Sequence, residues 1–214
     1  MLPHEIEQES FRIIRSELGP HKYDDRELTA VVRVIHATGD FDYGTNLRFG
    51  NDAVTAGIAA LRRGCAIVTD VRMVEVGLSA NLVKRFGGQV VCEISGPEVL
   101  ELARAQALTR ATVAMRRNAG LIAGGVVAIG NAPTALIEVL RQIREEGVRP
   151  ALVVGVPVGF VNAVESKEAL AEMDVPYVTA LGRKGGSSVA VAVVNALLRL
   201  AAQAEDRSNG HSAA

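Results

Sequence analysis

Apolar positions in the first stretch, HEIEQESFRIIRSEL (residues 4–18), recur at helical spacing. Ile6, Ser10, Ile13, Ile14 and Leu18 fall near one face, and Gly19-Pro20 stops the run. A second helix is predicted over DRELTAVVRVIHAT, capped by Asp24 or Asp25, with Leu28, Val31, Val32 and Ile35 in register and Gly39 as its stop. His36 falls in its last turn. A third helix is predicted over roughly 51–63, starting at Asn51 or Asp52 and ending at Gly64.

Beyond residue 64 the pattern changes to strand, turn, helix. The strand candidates are CAIVTD (65–70), QVVCEI (89–94), VVAIGN (126–131), ALVVGVPV (151–158) and PYVTALG (176–182). They are short, rich in β-branched residues and apolar throughout rather than alternating, the pattern of parallel strands covered on both faces. Helical stretches separate them: 97–118 with a break near Leu108-Thr109, then PTALIEVLRQIREEG, NAVESKEALAEMD and SVAVAVVNALLRLAAQ. The expectation is one doubly wound α/β domain over 1–203, with about five parallel strands, helices on both faces and extra helices at the N-terminus. The polar, small residues that follow predict a disordered tail over 204–214.

Composition narrows the function classes. Hydrophobic residues make up 49% and charged residues 22%, enough for a sizeable core. Lys+Arg 23 against Asp+Glu 24, no Trp and 4% aromatics argue against a nucleic-acid surface. Cys65 and Cys92 lie in strand-like runs without CxxC or metal spacing, so reduced thiols are expected and no metal site. MLPHEIEQESF is not an apolar leader, and no uninterrupted apolar run reaches the ~18 residues needed to span a bilayer. A cytoplasmic chain without membrane contact is expected.

Candidate chemistry gathers where the strands end. Those loops read Asp70-Val71-Arg72, Ser95-Gly96-Pro97, GNAPT (130–134), GVPVGFVN (155–162) and GRKGGSS (182–188). Glycines admit close backbone approach and helix N-termini carry partial positive charge, so the edge suits a ligand with several separated anionic groups. No GxGxxG follows the first strand, and GRKGGSS is not GxxxxGK[ST], so a nucleotide is poorly supported. From residues alone His36 is either a helix-end cation or a functional group, Ser10 a tolerated small polar residue, and Arg110 a solvated helix charge.

The strings IEQESFRII, VIHATGDFDYGTNLRF, TDVRMVEVGL, LTRATVAM, VVAIGNAPTAL, VGVPVGFVNAVESKEAL and GRKGGSSVAVAVVNALL together resemble precorrin-8X methylmutases of cobalamin biosynthesis, from about residue 3 to 200. The resemblance implies an isomerase that moves the C11 methyl of a corrinoid precursor to C12, giving hydrogenobyrinate, or cobyrinate when cobalt is present. It implies a flavodoxin-like fold, a homodimer and a reaction without cofactor. It also implies His36 as proton donor, with Ser10 and Arg110 positioning the substrate; because His36 ends an apolar helix face, its ring is expected to be partly shielded and aimed at the crevice. Asn131, Thr134, Arg183, Lys184, Gly185, Gly186 and Ser187 are then expected to receive the macrocycle's carboxylates. DFDYGTNLRF is closer to the members acting on cobalt-containing substrate. A non-catalytic corrinoid carrier is the alternative.

Overall fold

The computed structural model describes residues 2–211, with side chains through Asp206. Helices α1 (Pro3–Leu18) and α2 (Asp25–Thr38) come first, then the single turn α3 (Tyr43–Asn46) and strand β1 (Leu47–Gly50). After α4 (Ala53–Arg62) come β2 (Ala66–Thr69), α5 (Arg72–Gly77), α6 (Ala80–Arg85) and β3 (Gln89–Val91). Next are α7 (Pro97–Ala105), α8 (Arg110–Arg117), α9 (Ala119–Ile122) and β4 (Val126–Ile129). The chain closes with α10 (Pro133–Glu145), β5 (Leu152–Gly155), α11 (Ala163–Ala171), β6 (Tyr177–Ala180) and α12 (Ser187–His211).

The sheet runs β1-β6-β5-β4-β2-β3. Its five parallel strands are the five predicted ones. Taken in chain order they lie 2-1-3-4-5, the doubly wound arrangement whose order reverses between β2 and β4. One expectation is corrected. The sheet is not purely parallel, because LRFG forms a sixth strand, antiparallel to β6, with Leu47 opposite Ala180 and Gly50 opposite Tyr177. Four residues are too few to carry a periodicity, so only the pairing reveals β1.

The parallel strands other than the edge strand β3 are largely buried on both faces, and their alternate residues feed two cores. Ile67, Val126, Ala128, Leu152, Val154 and Val178 face one layer, formed with α2, α4 and α12. Val68, Val127, Ile129 and Val153 face the other, with α8 and α10. Side-chain alternation along each strand makes this division unavoidable.

Helix α12 is long and apolar enough over Ser187–Asp206 to pass for a membrane span by length and composition. Its Val189, Val193, Val194, Leu197, Leu198 and Ala201 are instead buried in the first core, against α2 and α4. The helix continues through 204–211, so it extends past the boundary expected at 203 into the predicted tail. Residues 212–214 of that tail lie outside the described residues. Cys65 and Cys92 are free and partly buried, and burial pushes both thiols up from their ordinary pKa.

Candidate functional site

The reversal between β2 and β4 brings Asp70 to the GNA turn. Asp70 is buried, and its carboxylate accepts N–H bonds from Gly130 at 3.1 Å, Asn131 at 2.8 Å and Ala132 at 2.7 Å. Burial raises its pKa, and the three backbone N–H groups pull in the opposite direction. The N-terminus of α10, expected to take a ligand carboxylate, therefore already holds an internal one. Asn131 thus has its N–H engaged, while the residue is exposed.

Thr134, in the first turn of α10, is tied sideways. Its hydroxyl lies 2.9 Å from that of Thr109, and its carbonyl 3.5 Å from the Thr112 hydroxyl. Thr109 caps α8, whose first residue is the exposed Arg110. Thr134 and Arg110 thus stand at adjoining helix N-termini.

The GRKGGSS loop is pressed onto the end of β5. Gly186 donates to the Val156 carbonyl at 2.9 Å, and Gly159 donates to the Arg183 carbonyl at 3.2 Å. A Cβ on Gly185 would lie 2.3 Å from the Val156 carbonyl oxygen, so only glycine permits this approach. A Cβ on Gly130 would sit 2.7 Å from Ser187 Cα, which places Ser187 beside the GNA turn. Asn131, Gly185, Gly186 and Ser187 are therefore neighbours on one shelf. At its rim the exposed Arg183 guanidinium lies 5.3 Å from the ring centroid of Phe160, which is 83% exposed.

Lys184 is paired within the chain. Its ammonium lies 2.6 Å from both Asp40 and Asp42, and these two hydrogen bonds raise its pKa. The buried Tyr43 hydroxyl donates to the Gly185 carbonyl at 3.3 Å. Both links run from the loop to the turn just after His36.

His36 itself closes α2, where Asp24 caps the start and accepts from Arg26 and Glu27, and left-handed Gly39 ends it by donating to Ile35. The imidazole packs edge-on against Phe11, with ring centroids 5.3 Å apart. It is exposed, not partly shielded as expected, because Phe11 of α1 covers only one side. Ser10, the residue before Phe11 on α1, donates to the Ile6 carbonyl at 2.8 Å. The Phe11–His36 contact joins α1 to the end of α2, and the Lys184 and Tyr43 links tie the turn after His36 to the glycine-rich shelf.

Asp40, Asp42, Tyr43, Asp70 and Lys167 were given no individual role from sequence. Two left a signal. Asp70 is a charge ending an apolar strand. Lys167 falls with Ala163, Ser166 and Leu170 on one helix face, and that whole face is buried. Pronounced concavities lie elsewhere, one of them at the far end of α2 between Asp25, Arg26, Ile58 and Leu200. The shelf is open to one side.

The sequence profile of precorrin-8X methylmutase (CbiC) matches residues 5–200. Cobalt-precorrin-8 methylmutase of Priestia megaterium is 48% identical over 93% of this chain and 88% of its own length. Precorrin-8X methylmutase of a Sinorhizobium species is 39% identical over 91% and 93%. The solved structure of the Thermus thermophilus precorrin-8X methylmutase superposes with a TM-score of 0.87 at 47% identity, covering 94% of this chain and 97% of that one. With its doubly wound order, its histidine-bearing turn and its glycine-rich shelf in place, the chain belongs to the precorrin-8X methylmutase family, isomerases of cobalamin biosynthesis.

Proposed function

We propose that this chain moves the C11 methyl of precorrin-8, with or without cobalt, to C12, with His36 donating a proton to the macrocycle. The observation that carries the reading is the pair of links between the His36 turn and the shelf, Lys184 to Asp40 and Asp42 and Tyr43 to Gly185. They give a proton donor and a polar platform one fixed relation. A methyl shift between adjacent ring carbons needs no nucleophile; it needs a held macrocycle and an electron-poor π-system. Histidine, which titrates near neutrality, supplies the proton that withdraws electrons.

Arg183 and Arg110 are the exposed cations suited to the macrocycle's carboxylates, with Ser10, Asn131, Thr134, Gly185, Gly186 and Ser187 as hydrogen-bonding partners. Lys184, already flanked by two carboxylates, serves by holding position. The open shelf and the exposed Val158, Phe160 and Val161 beside it support a homodimer in which a second copy covers the edge.

Parallel incubation with metal-free and cobalt-loaded precorrin-8, followed by absorption, tests the reading. Conversion of the yellow precursor to an orange corrin supports it and identifies the preferred substrate. Binding without conversion would make the protein a corrinoid carrier instead.

A further inference from the structure

Lys167 is fully buried in α11, and its ammonium donates to a single protein acceptor among the described contacts, the Lys184 carbonyl at 2.7 Å. Burial alone pushes its pKa down to about 8, with no charged neighbour contributing. An ammonium buried against a neutral carbonyl is costly, and an apolar chain of similar length fills such a space without that cost. Core stability therefore gives no reason for a lysine here.

Its geometry gives one. The Lys184 carbonyl faces inward to Lys167, while the Lys184 side chain extends outward to Asp40 and Asp42. Gly185 and Gly186 hold the next peptides against Val156 and Pro157. A short run of contacts thus leads from the buried face of α11, through one residue of the shelf, to the turn four residues beyond His36. Among the described residues, the hydrogen bond of Lys167 goes to Lys184 and not to that turn.

We infer that Lys167 is a positioning residue for the reaction: it fixes the Lys184 peptide and thereby the placement of the His36-bearing turn over the shelf. The kinetic half of this inference rests on the isomerase reading above; the structural half rests on geometry alone.

Lys167→Met in the full chain tests both halves, through thermal unfolding, amide exchange of residues 39–43 and 182–187, and turnover of precorrin-8. The expected variant melts no lower than the parent, exchanges faster in both segments, and loses about 10- to 100-fold in kcat with a smaller change in KM. Lys184→Ala, which cuts the run at its other end, is expected to loosen 39–43 while 182–187 stays protected. Parent-like exchange in both segments, or parent-like kcat in a loosened Lys167→Met, overturns the inference. Should Lys167→Met fail to fold, parent-like turnover by Lys184→Ala overturns it equally. Absence of turnover by the parent protein would sink the isomerase reading, while the exchange data would still decide whether Lys167 holds the two segments.

Discussion

Asp70 and Ala132 meet across the point where the sheet reverses, with the carboxylate 2.7 Å from the backbone N–H at the start of α10. That carboxylate also serves Gly130 and Asn131, so one side chain satisfies three successive N–H groups, that of Gly130 fully buried.

Asp70→Asn keeps the shape but leaves one oxygen where two accepted, and turns an N–H₂ group toward backbone donors. A loss of about 1–3 kcal/mol in urea-unfolding free energy is expected. A variant within experimental error of the parent would show that the GNA turn holds without the carboxylate.

His36→Ala should fold as the parent does, since the ring is exposed and substitutions at such positions usually move stability by about 0.5 kcal/mol or less. Product binding should persist through the carboxylate contacts. Isomerisation should fall ~10²-fold or more, and His36→Asn should be equally impaired. Turnover within a few fold of the parent in either variant would remove the proton-donor role.

Arg183 and Phe160 form an exposed pair at the rim of the shelf. Arg183→Ala is expected to weaken corrinoid binding, with the larger loss at low salt, where charge is least screened. Phe160→Ala should weaken it with little salt dependence. Titrations at two ionic strengths separate the two effects, and salt-independent loss in Arg183→Ala would exclude a carboxylate partner for that side chain.

Lys167 also predicts a pH signature. Its folded pKa of about 8 lies below the ordinary lysine value of 10.5. Between those values the unfolded chain binds more protons, so this residue's share of stability rises with pH across that window. It is fully present above 10.5 and lost as pH falls through 8. The stability difference between parent and Lys167→Met should therefore shift in the parent's favour from pH 7 to pH 10, by up to about 3 kcal/mol. A pH-independent difference would mean that Lys167 is not desolvated.

The dimer proposal is checked by light scattering. A mass near the monomer's 22.6 kDa at micromolar concentration would count against it.

Sequence pattern alone located the five parallel strands, because each is a continuous apolar run between glycine-rich turns, a signal that needs no tertiary information. β1 escaped, since its identity lies in the pairing of Leu47 with Ala180 rather than in its own four residues. The site divided in the same way. The loops at the strand ends were legible as glycines and helix starts. Which charges answer one another was not: Asp70 fills the α10 terminus, and Asp40 and Asp42 occupy Lys184. Such pairings depend on strand order, which periodicity does not encode. His36 was ambiguous from its residues and gained a role only through resemblance.

The packing of α2 on α12 has a consequence for biogenesis. The apolar face that ends at His36 rests on α12, so during synthesis it lacks that partner until all six strands of the sheet have been made. Closing so long a separation is entropically demanding and slow. A nascent chain truncated before residue 187 would present Val31, Val32 and Ile35 to solvent, an apolar surface for chaperones to recognise.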